Sequence, residues 1–442
     1  MKRTIARSVA IGWMAWTGCA AAAEESPAKP VFTLEECIGI GLKQAASARN
    51  ALRDEQIAGM RISQVRAQIL PQLKATGGYT RLDEAASAEV DGEMVQMGQE
   101  DNFAAGISVS QLLYSGGSVR SALDAAQLYR EVAQTRVQQV ENELVRDIRT
   151  GFNDILLEEE QVRVQEASAA QLQDLLEQAE SRFRQKTASE FDVLSARVRL
   201  ANIQPVLIRA RKQADLARAK FRSLVQLDPV FFDLAGELGF VKSERSLEEW
   251  QALGLEQRPE LIEQRRFLGM WEADIRAEQG GFLPQVRAFA GYDGANPESG
   301  SADRSWEWGW SAGVTAEWDI FDGALRRSRI REKRLELEKA HETLADSERQ
   351  VALEIQAHHL ELMQAAETVA ASRDTVALAE KGLEIARTRY ENGLATYLDF
   401  TDANLSLSVA RLTWLQALHD HMNAQARLQQ ACGEKFEIGE RP

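Results

Sequence analysis

A chain of 442 residues with 52 basic and 67 acidic side chains carries a formal charge of −15, which argues against nucleic acid as a partner, because neutralising phosphates needs a basic face. Its 9 prolines and 29 glycines are few for an all-β or loop-rich protein of this length and favour long helices. Three cysteines, none at the paired spacing of a zinc site, cannot build a disulfide framework.

Residues 1–23 read as an export signal peptide: Lys2, Arg3 and Arg7 precede an apolar run from Val9 to Trp16 and then small residues. Cleavage after Ala21-Ala22-Ala23 is the primary reading, and the loss of three basic residues takes the charge from −15 to −18. The second reading is a lipoprotein signal, Thr17-Gly18-Cys19, with Cys19 acylated, although Trp16 stands where a Leu-like residue is usual. Residues 24–31 follow as a short extension. No later stretch reaches the ~20 consecutive apolar residues of a membrane helix.

The remainder is one unit written twice. Leu34-Glu35-Glu36 recurs as Leu247-Glu248-Glu249, and Leu70-Pro71-Gln72 as Leu283-Pro284-Gln285, both 213 residues on. Tyr114-Ser115-Gly116-Gly117 returns as Phe321-Asp322-Gly323-Ala324, Arg182-Phe183 as Arg389-Tyr390 and Phe191-Asp192 as Leu398-Asp399, all at 207. The six-residue difference falls between Pro71 and Tyr114, which makes that stretch a surface loop tolerant of length change. Copy one spans 32–228, with strands at about 72–82 and 103–114 and a long helical hairpin over 118–227. A linker, 229–245, leads to copy two at 246–433, with strands at about 285–293 and 306–321 and a hairpin over 324–432. Residues 434–442 are a tail.

Heptads define the hairpins. Ile355, Leu362, Val369, Val376, Leu383 and Tyr390 stand seven apart, and Ile330, Leu337, Leu344 and Val351 form an earlier series shifted by four. Copy one repeats this with Ile148, Ile155, Val162, Ala169, Leu176 and Phe183 after Leu123, Val137 and Leu144. A seven-residue period winds a left-handed coiled coil, and a four-residue insertion locally unwinds it.

The strands alternate with period two. Trp306, Trp308, Trp310, Ala312, Val314, Ala316, Trp318 and Ile320 share one face, opposite Glu307, Gly309, Ser311, Gly313, Thr315, Glu317 and Asp319. Phe103, Ala105, Ile107, Val109 and Leu113, then Leu73, Ala75 and Tyr79, and Val286, Ala288 and Tyr292, continue the apolar set. Ten-residue strands with an apolar face and terminal aromatics fit a membrane β-barrel. Four strands are too few to close one around water, so several chains must contribute. The tryptophans have two readings, a carbohydrate-binding strip or an interfacial girdle with Tyr79 and Tyr292, and the girdle accounts better for their spacing.

Together, the duplicated unit, the paired Leu-Pro-Gln and Gly-containing turns, and Arg389-Tyr390-Glu391-Asn392-Gly393-Leu394-Ala395-Thr396-Tyr397-Leu398-Asp399 resemble the TolC-like outer-membrane efflux channels of Gram-negative bacteria over nearly the whole mature chain. The resemblance implies a mainly α fold with a membrane β-barrel: a homotrimer whose four strands per chain close a twelve-stranded barrel in outer-membrane lipid, continued by an α-barrel tunnel into the periplasm. It further implies docking on a periplasmic adaptor, or membrane fusion protein, and an inner-membrane pump, with export of drugs, metal ions or proteins by efflux or type I secretion. No cofactor is implied. The competing class is a periplasmic coiled-coil adaptor or scaffold, which explains the heptads and leaves the Trp-rich strands without purpose.

Asp399 and Asp402, three apart on the returning helix, match an acidic ring at the periplasmic entrance of such channels. Three copies would gather six carboxylates, attract cations and raise some of the carboxyl pKa values by repulsion. From the residues alone they are solvated carboxylates at a helix start, where the macrodipole favours them. The resemblance places Phe183, Lys186, Ser189 and Asp192 at the first hairpin tip and Tyr390, Gly393, Leu394 and Thr396 at the second, facing the adaptor. Lys186 departs from the Gly393 pattern. His358 with Glu354, and His419 with His421, are weak metal candidates; the last two lie about 200° apart around a helix and cannot share one ion, so no metal site is expected. No nucleophile elbow, phosphate loop or zinc-hydrolase motif occurs, and an enzyme is not expected. The 83–101 loop holds seven acidic residues and no basic one, as an external loop would. The resemblance brings Cys37 and Cys432 to similar heights in a compartment that permits disulfides; their repeat counterparts, Trp250 and Val225, favour two apolar packing positions, with a Cys37–Cys432 bond as the second reading.

Overall fold

The computed structural model describes residues 30–84, 87–90, 92–96, 99–228, 230–296 and 306–434. The leader with Cys19, and all of the tail beyond Glu434, lie outside the described residues. In chain order, β1 (Val31–Phe32), α1 (Leu34–Gln44) and α2 (Ala46–Ala67) lead to β2 (Gln72–Arg81), a small hairpin of β3 (Ser87–Val90) and β4 (Glu93–Gln96), and β5 (Asp101–Ser115). The first long hairpin is α3 (Ser118–Arg184) with α4 (Glu190–Val225). After β6 (Asp233–Leu234) come α5 (Leu247–Gln257), α6 (Pro259–Gly280), β7 (Gln285–Asn296), β8 (Glu307–Glu317), α7 (Leu325–Glu391) and α8 (Tyr397–Ala431).

The duplication is residue-exact in three of the four helix pairs, and α8 is one residue shorter than its counterpart α4. Helices α1 and α2 recur as α5 and α6 at an offset of 213, and α3 recurs as α7 at 207. Four helix starts are fixed by capping boxes, in two repeat-related pairs: Thr33 with Glu36 and Ser246 with Glu249, then Ser189 with Asp192 and Thr396 with Asp399. Helices α3 and α7 each have 67 residues, about 100 Å at 1.5 Å per residue. Part of the heptad series is buried, Ile148, Ile155 and Leu176 in α3 and Ile355, Leu362 and Val369 in α7, whereas Phe183 at the end of the first series is exposed.

Each copy has its own core about midway along its longest helix. In copy one, Cys37 of α1 is buried with Ile148, Phe221 and Val225; in copy two, Trp250 of α5 is buried with Ile355, Leu428 and Cys432. The Cys37–Val225 neighbourhood is thus rebuilt as Trp250–Cys432, with the cysteine on the opposite side. Both thiols are free and wholly buried, and burial, then the nearby charge of Glu36 or Glu434, pushes each up to about 12. Glycine is required where Gly116 and Gly280 face each other, since a Cβ on either would strike the other's backbone carbonyl oxygen.

The main sheet is four-stranded and antiparallel, in the order β2-β5-β7-β8. Its register aligns the apolar sets of all four strands: Ala75 lies opposite Ile107, Ile107 opposite Tyr292, and Tyr292 opposite Trp310. The other face carries Lys74, Ser108, Gly291 and Ser311 in one such row. The expected mainly helical fold with a barrel-type sheet is the fold observed, and a single chain leaves the sheet open.

Two expectations on extent are corrected. The 83–101 segment is not all loop, because β3 and β4 pair within it. The fourth strand stops at Glu317, not 321: the Trp318 indole N–H donates to the Phe282 carbonyl at 3.0 Å, and Arg326 bonds Asp319 and Asp322, turning the chain off the sheet into α7.

Candidate functional site

Two regions can serve a channel, the sheet and the hairpin tips. Among the described residues β2 pairs only with β5 and β8 only with β7, so each outer strand leaves a backbone edge free. Every residue of β2, and all but one of β8, is exposed, on both faces. A sheet with no covered face and two free edges cannot persist in water. Its apolar face carries Tyr79 beside Phe103, ring centroids 5.0 Å apart, and a stack of Trp306, Trp308 and Tyr292 with spacings of 5.4 and 5.3 Å. Trp310 is 80% exposed and Trp318 58%. The Trp308 ring lies over Gly294, where a Cβ would collide with it, so the stack depends on that glycine.

The tips are built alike. Both long helices end in a Schellman motif: Thr187 N–H donates to Arg182 C=O and Lys186 N–H to Phe183 C=O, both at 2.9 Å, while Leu394 donates to Arg389 at 2.7 Å and Gly393 to Tyr390 at 3.0 Å. The motif needs a left-handed residue, and Lys186 adopts φ +63° where Gly393 has +72°. Its missing glycine therefore leaves the turn unchanged. Beyond it, Asp192 accepts from the Ser189 N–H at 3.0 Å, and Asp399 from the Thr396 N–H and hydroxyl at 2.8 and 2.7 Å. Those bonds hold the Asp399 carboxyl below its ordinary pKa in the single chain, the reverse of the rise expected from a crowded ring. Asp402 instead reaches Arg199 of the first hairpin at 3.7 Å.

The structure brings the two tips together. Tyr390 and Tyr397 are buried against Leu175, Leu176, Ala179 and Ala196 of copy one. The Arg182 guanidinium sits 4.5 Å over the Tyr390 ring and reaches the Tyr390 carbonyl at 3.5 Å. Tyr390 is thus an internal wedge, whereas Phe183 and Leu394 are exposed, Leu394 by 71%. Phe191, 74% exposed, and Leu398, two repeat landmarks, add to the exposed apolar surface of the tips. Arg182 and Arg199 carry no local signal of their roles, because the partner of each lies in the other copy.

The histidines have separate settings. The His419 Nε2 lies 2.7 Å from Asp154 of α3 and its Nδ1 3.1 Å from Asp420. Asn423 links the same ring to the buried Asn153. Burial pulls the His419 pKa down, and the bonds to Asp154 and Asp420 outweigh it, leaving it raised. His421 is buried beneath the Phe240 ring, 4.6 Å away, and burial lowers its pKa. His358 lies 3.0 Å from Glu361 and 3.9 Å from Glu354. Among the described residues no cluster of three His, Cys, Asp or Glu side chains is arranged to hold a metal.

A sequence profile described as "Outer membrane efflux protein" matches residues 42–225 and 252–434, one match in each copy. Comparison with curated protein sequences gives no match. Among solved structures, the CmeC outer membrane channel of Campylobacter jejuni superposes with a TM-score of 0.76 at 14% identity, covering 98% of this chain and 96% of that one. The outer membrane protein VceC of Vibrio cholerae gives 0.72 at 17% over 91% and 97%. The open-state MtrE outer membrane channel of Neisseria gonorrhoeae gives 0.70 at 19% over 90% and 88%.

Proposed function

The chain belongs to the outer membrane efflux protein family, and we propose that it works as a homotrimeric exit channel of a tripartite efflux or type I secretion system. Three copies of the β2-β5-β7-β8 sheet join edge to edge, β8 of one protomer beside β2 of the next, into a twelve-stranded barrel. The apolar face meets outer-membrane lipid and the face with Lys74, Ser108 and Ser311 lines the water path. Helices α3, α4, α7 and α8 of each protomer continue the path through the periplasm. The tips form the gate and the docking surface for a periplasmic adaptor above an inner-membrane pump, with Asp399 and Asp402 at the entrance and Phe183, Lys186, Ser189, Asp192, Gly393, Leu394 and Thr396 around it.

The observation that carries this reading is the open sheet, exposed on both faces and unpaired at both edges. A soluble scaffold would have no use for it and would aggregate through it. Chemical cross-linking of membranes should trap a species of three chains that resists carbonate extraction, and the purified protein should conduct ions across a planar bilayer. A carbonate-extractable monomer without conductance refutes the reading.

A further inference from the structure

The exposed apolar band around the helical end of the sheet stops abruptly and a run of cations begins. Ile320 is 83% exposed, Phe321 88% and Leu325 50%, and Leu70, Leu113 and Phe282 are exposed at the same end of the sheet. Directly after Leu325, residues 326–334 hold six basic side chains and a single acidic one, Glu332, in a protein of net charge −15. The matching stretch of copy one, 119–127, holds one basic residue, Arg120, and one acidic, Asp124.

Two of the six cations are occupied inside the protomer: Arg326 bonds Asp319 and Asp322, and Lys333 pairs with Glu336 and sits over the Trp271 ring. Arg327, Arg329, Arg331 and Arg334 are exposed, and none forms an ion pair or hydrogen bond with another described residue. Their placement opposes the helix. They occupy the first turns of α7, whose amino end is the positive pole of the macrodipole, and no acidic residue stands in its first turn. Arg327 stands in that first turn, where the macrodipole disfavours a cation, so local helix energetics do not account for it.

We propose that Arg327, Arg331 and Arg334, which lie within about 60° of one another around α7 while Arg329 stands about 200° from Arg327, form a basic collar that binds the headgroups of anionic phospholipid in the leaflet at the helical end of the barrel. The inference rests on reading the sheet as a membrane barrel. The three residues span about 10 Å along the helix, a little more than a headgroup layer of roughly 5–7 Å. Their long side chains reach back toward it while the stems cover apolar surface. Guanidinium forks match phosphate oxygens in geometry as well as in charge.

The test compares full-length protein inserted into phosphatidylcholine vesicles containing a minor share of phosphatidylglycerol, with native mass spectrometry of the lipids it retains. The triple variant R327Q/R331Q/R334Q should retain phosphatidylglycerol over phosphatidylcholine about fivefold less strongly than the unaltered chain. R120Q, the copy-one counterpart of a change at Arg327, should leave the ratio within twofold or so. An unchanged ratio in an inserted triple variant overturns the proposal and directs the arginines to the tunnel lumen or to the next protomer. If that variant alone fails to insert, a salt series on the unaltered protein decides, because a ratio insensitive to ionic strength also overturns it. Failure of the unaltered chain to insert in any vesicle is a separate result that removes the barrel reading itself.

Discussion

Copy one and copy two differ most informatively where their backbones agree. Among the described residues three that are not glycine have left-handed φ: Lys186 at +63°, Gln226 at +60° and Ala324 at +70°. Their repeat counterparts are Gly393, Gly433 and Gly117, left-handed at +72°, +67° and +86°. The hydrogen bonds of the helix ends thus impose the conformation, and glycine only lowers its cost, which is about 1 kcal/mol for other residues. The copies diverge in side chains and converge in geometry. The same holds in the cores, where cysteine and its apolar neighbour have changed sides.

The largest effect expected from breaking this equivalence lies in the sheet. Val314 of β8 and Ile107 of β5 are repeat counterparts on the apolar face, so Val314→Arg and Ile107→Arg should each cost about 2–4 kcal/mol at mid-membrane. Thr315→Arg, on the polar face, should be tolerated; equal outer-membrane yields for all three would reverse the assigned faces.

A smaller effect sits at a seam present once per chain, between α3 and α8. His419 has Lys212 as its counterpart, so its link to Asp154 has no copy-one equivalent, and His419→Ala should lower stability by about 1–2 kcal/mol. The His419 pKa is raised in the fold, so its contribution is complete below the unfolded value of about 6.5 and is lost as pH rises through the folded value. Denaturation midpoints should fall between mildly acidic and alkaline pH in the unaltered protein and lose that part of the slope in the variant; an identical slope would detach the histidine from it.

The tips invite a third comparison, of cap with charge. Asp399→Ala removes both, whereas Thr396→Ala removes the cap alone, at about 1 kcal/mol. Block of conductance by multivalent cations should weaken with Asp399→Ala combined with Asp402→Ala and persist with Thr396→Ala. Persistence in both would leave these carboxylates with a helix-start role only. Smallest of all, Lys186→Gly should stabilise the first hairpin by about 0.5–1 kcal/mol and Gly393→Ala should destabilise the second by a similar amount, read from urea midpoints.

Most of this architecture was legible because periodicity survives without context. The 213 and 207 offsets mark helix boundaries, the sevens mark the buried stripe, and the alternation in 306–317 marks the two faces. What escaped were contacts between copies. Arg199 with Asp402, and Arg182 over Tyr390, join residues about two hundred positions apart whose neighbours carry no sign of each other. Asp399 stands three residues after Thr396, a cap signature that agrees with the helix-start role its residue type gives it, and the structure shows that capping box. The end of β8 was missed because alternation continues through Trp318 and Ile320, while Arg326, eight residues after Trp318, turns the chain away.

The placement of the two core cysteines, Cys37 and Cys432, has an experimental consequence. Each lies wholly buried in the core of a different copy, with no partner thiol nearby and an ionisation pushed out of the physiological range, so neither reacts until its own core opens. Labelling kinetics under native conditions would then time local opening one half at a time, Cys37 reporting the first and Cys432 the second. Nature has left this protein with a built-in pair of clocks, and their relative rates would tell whether the two halves come apart together or in sequence.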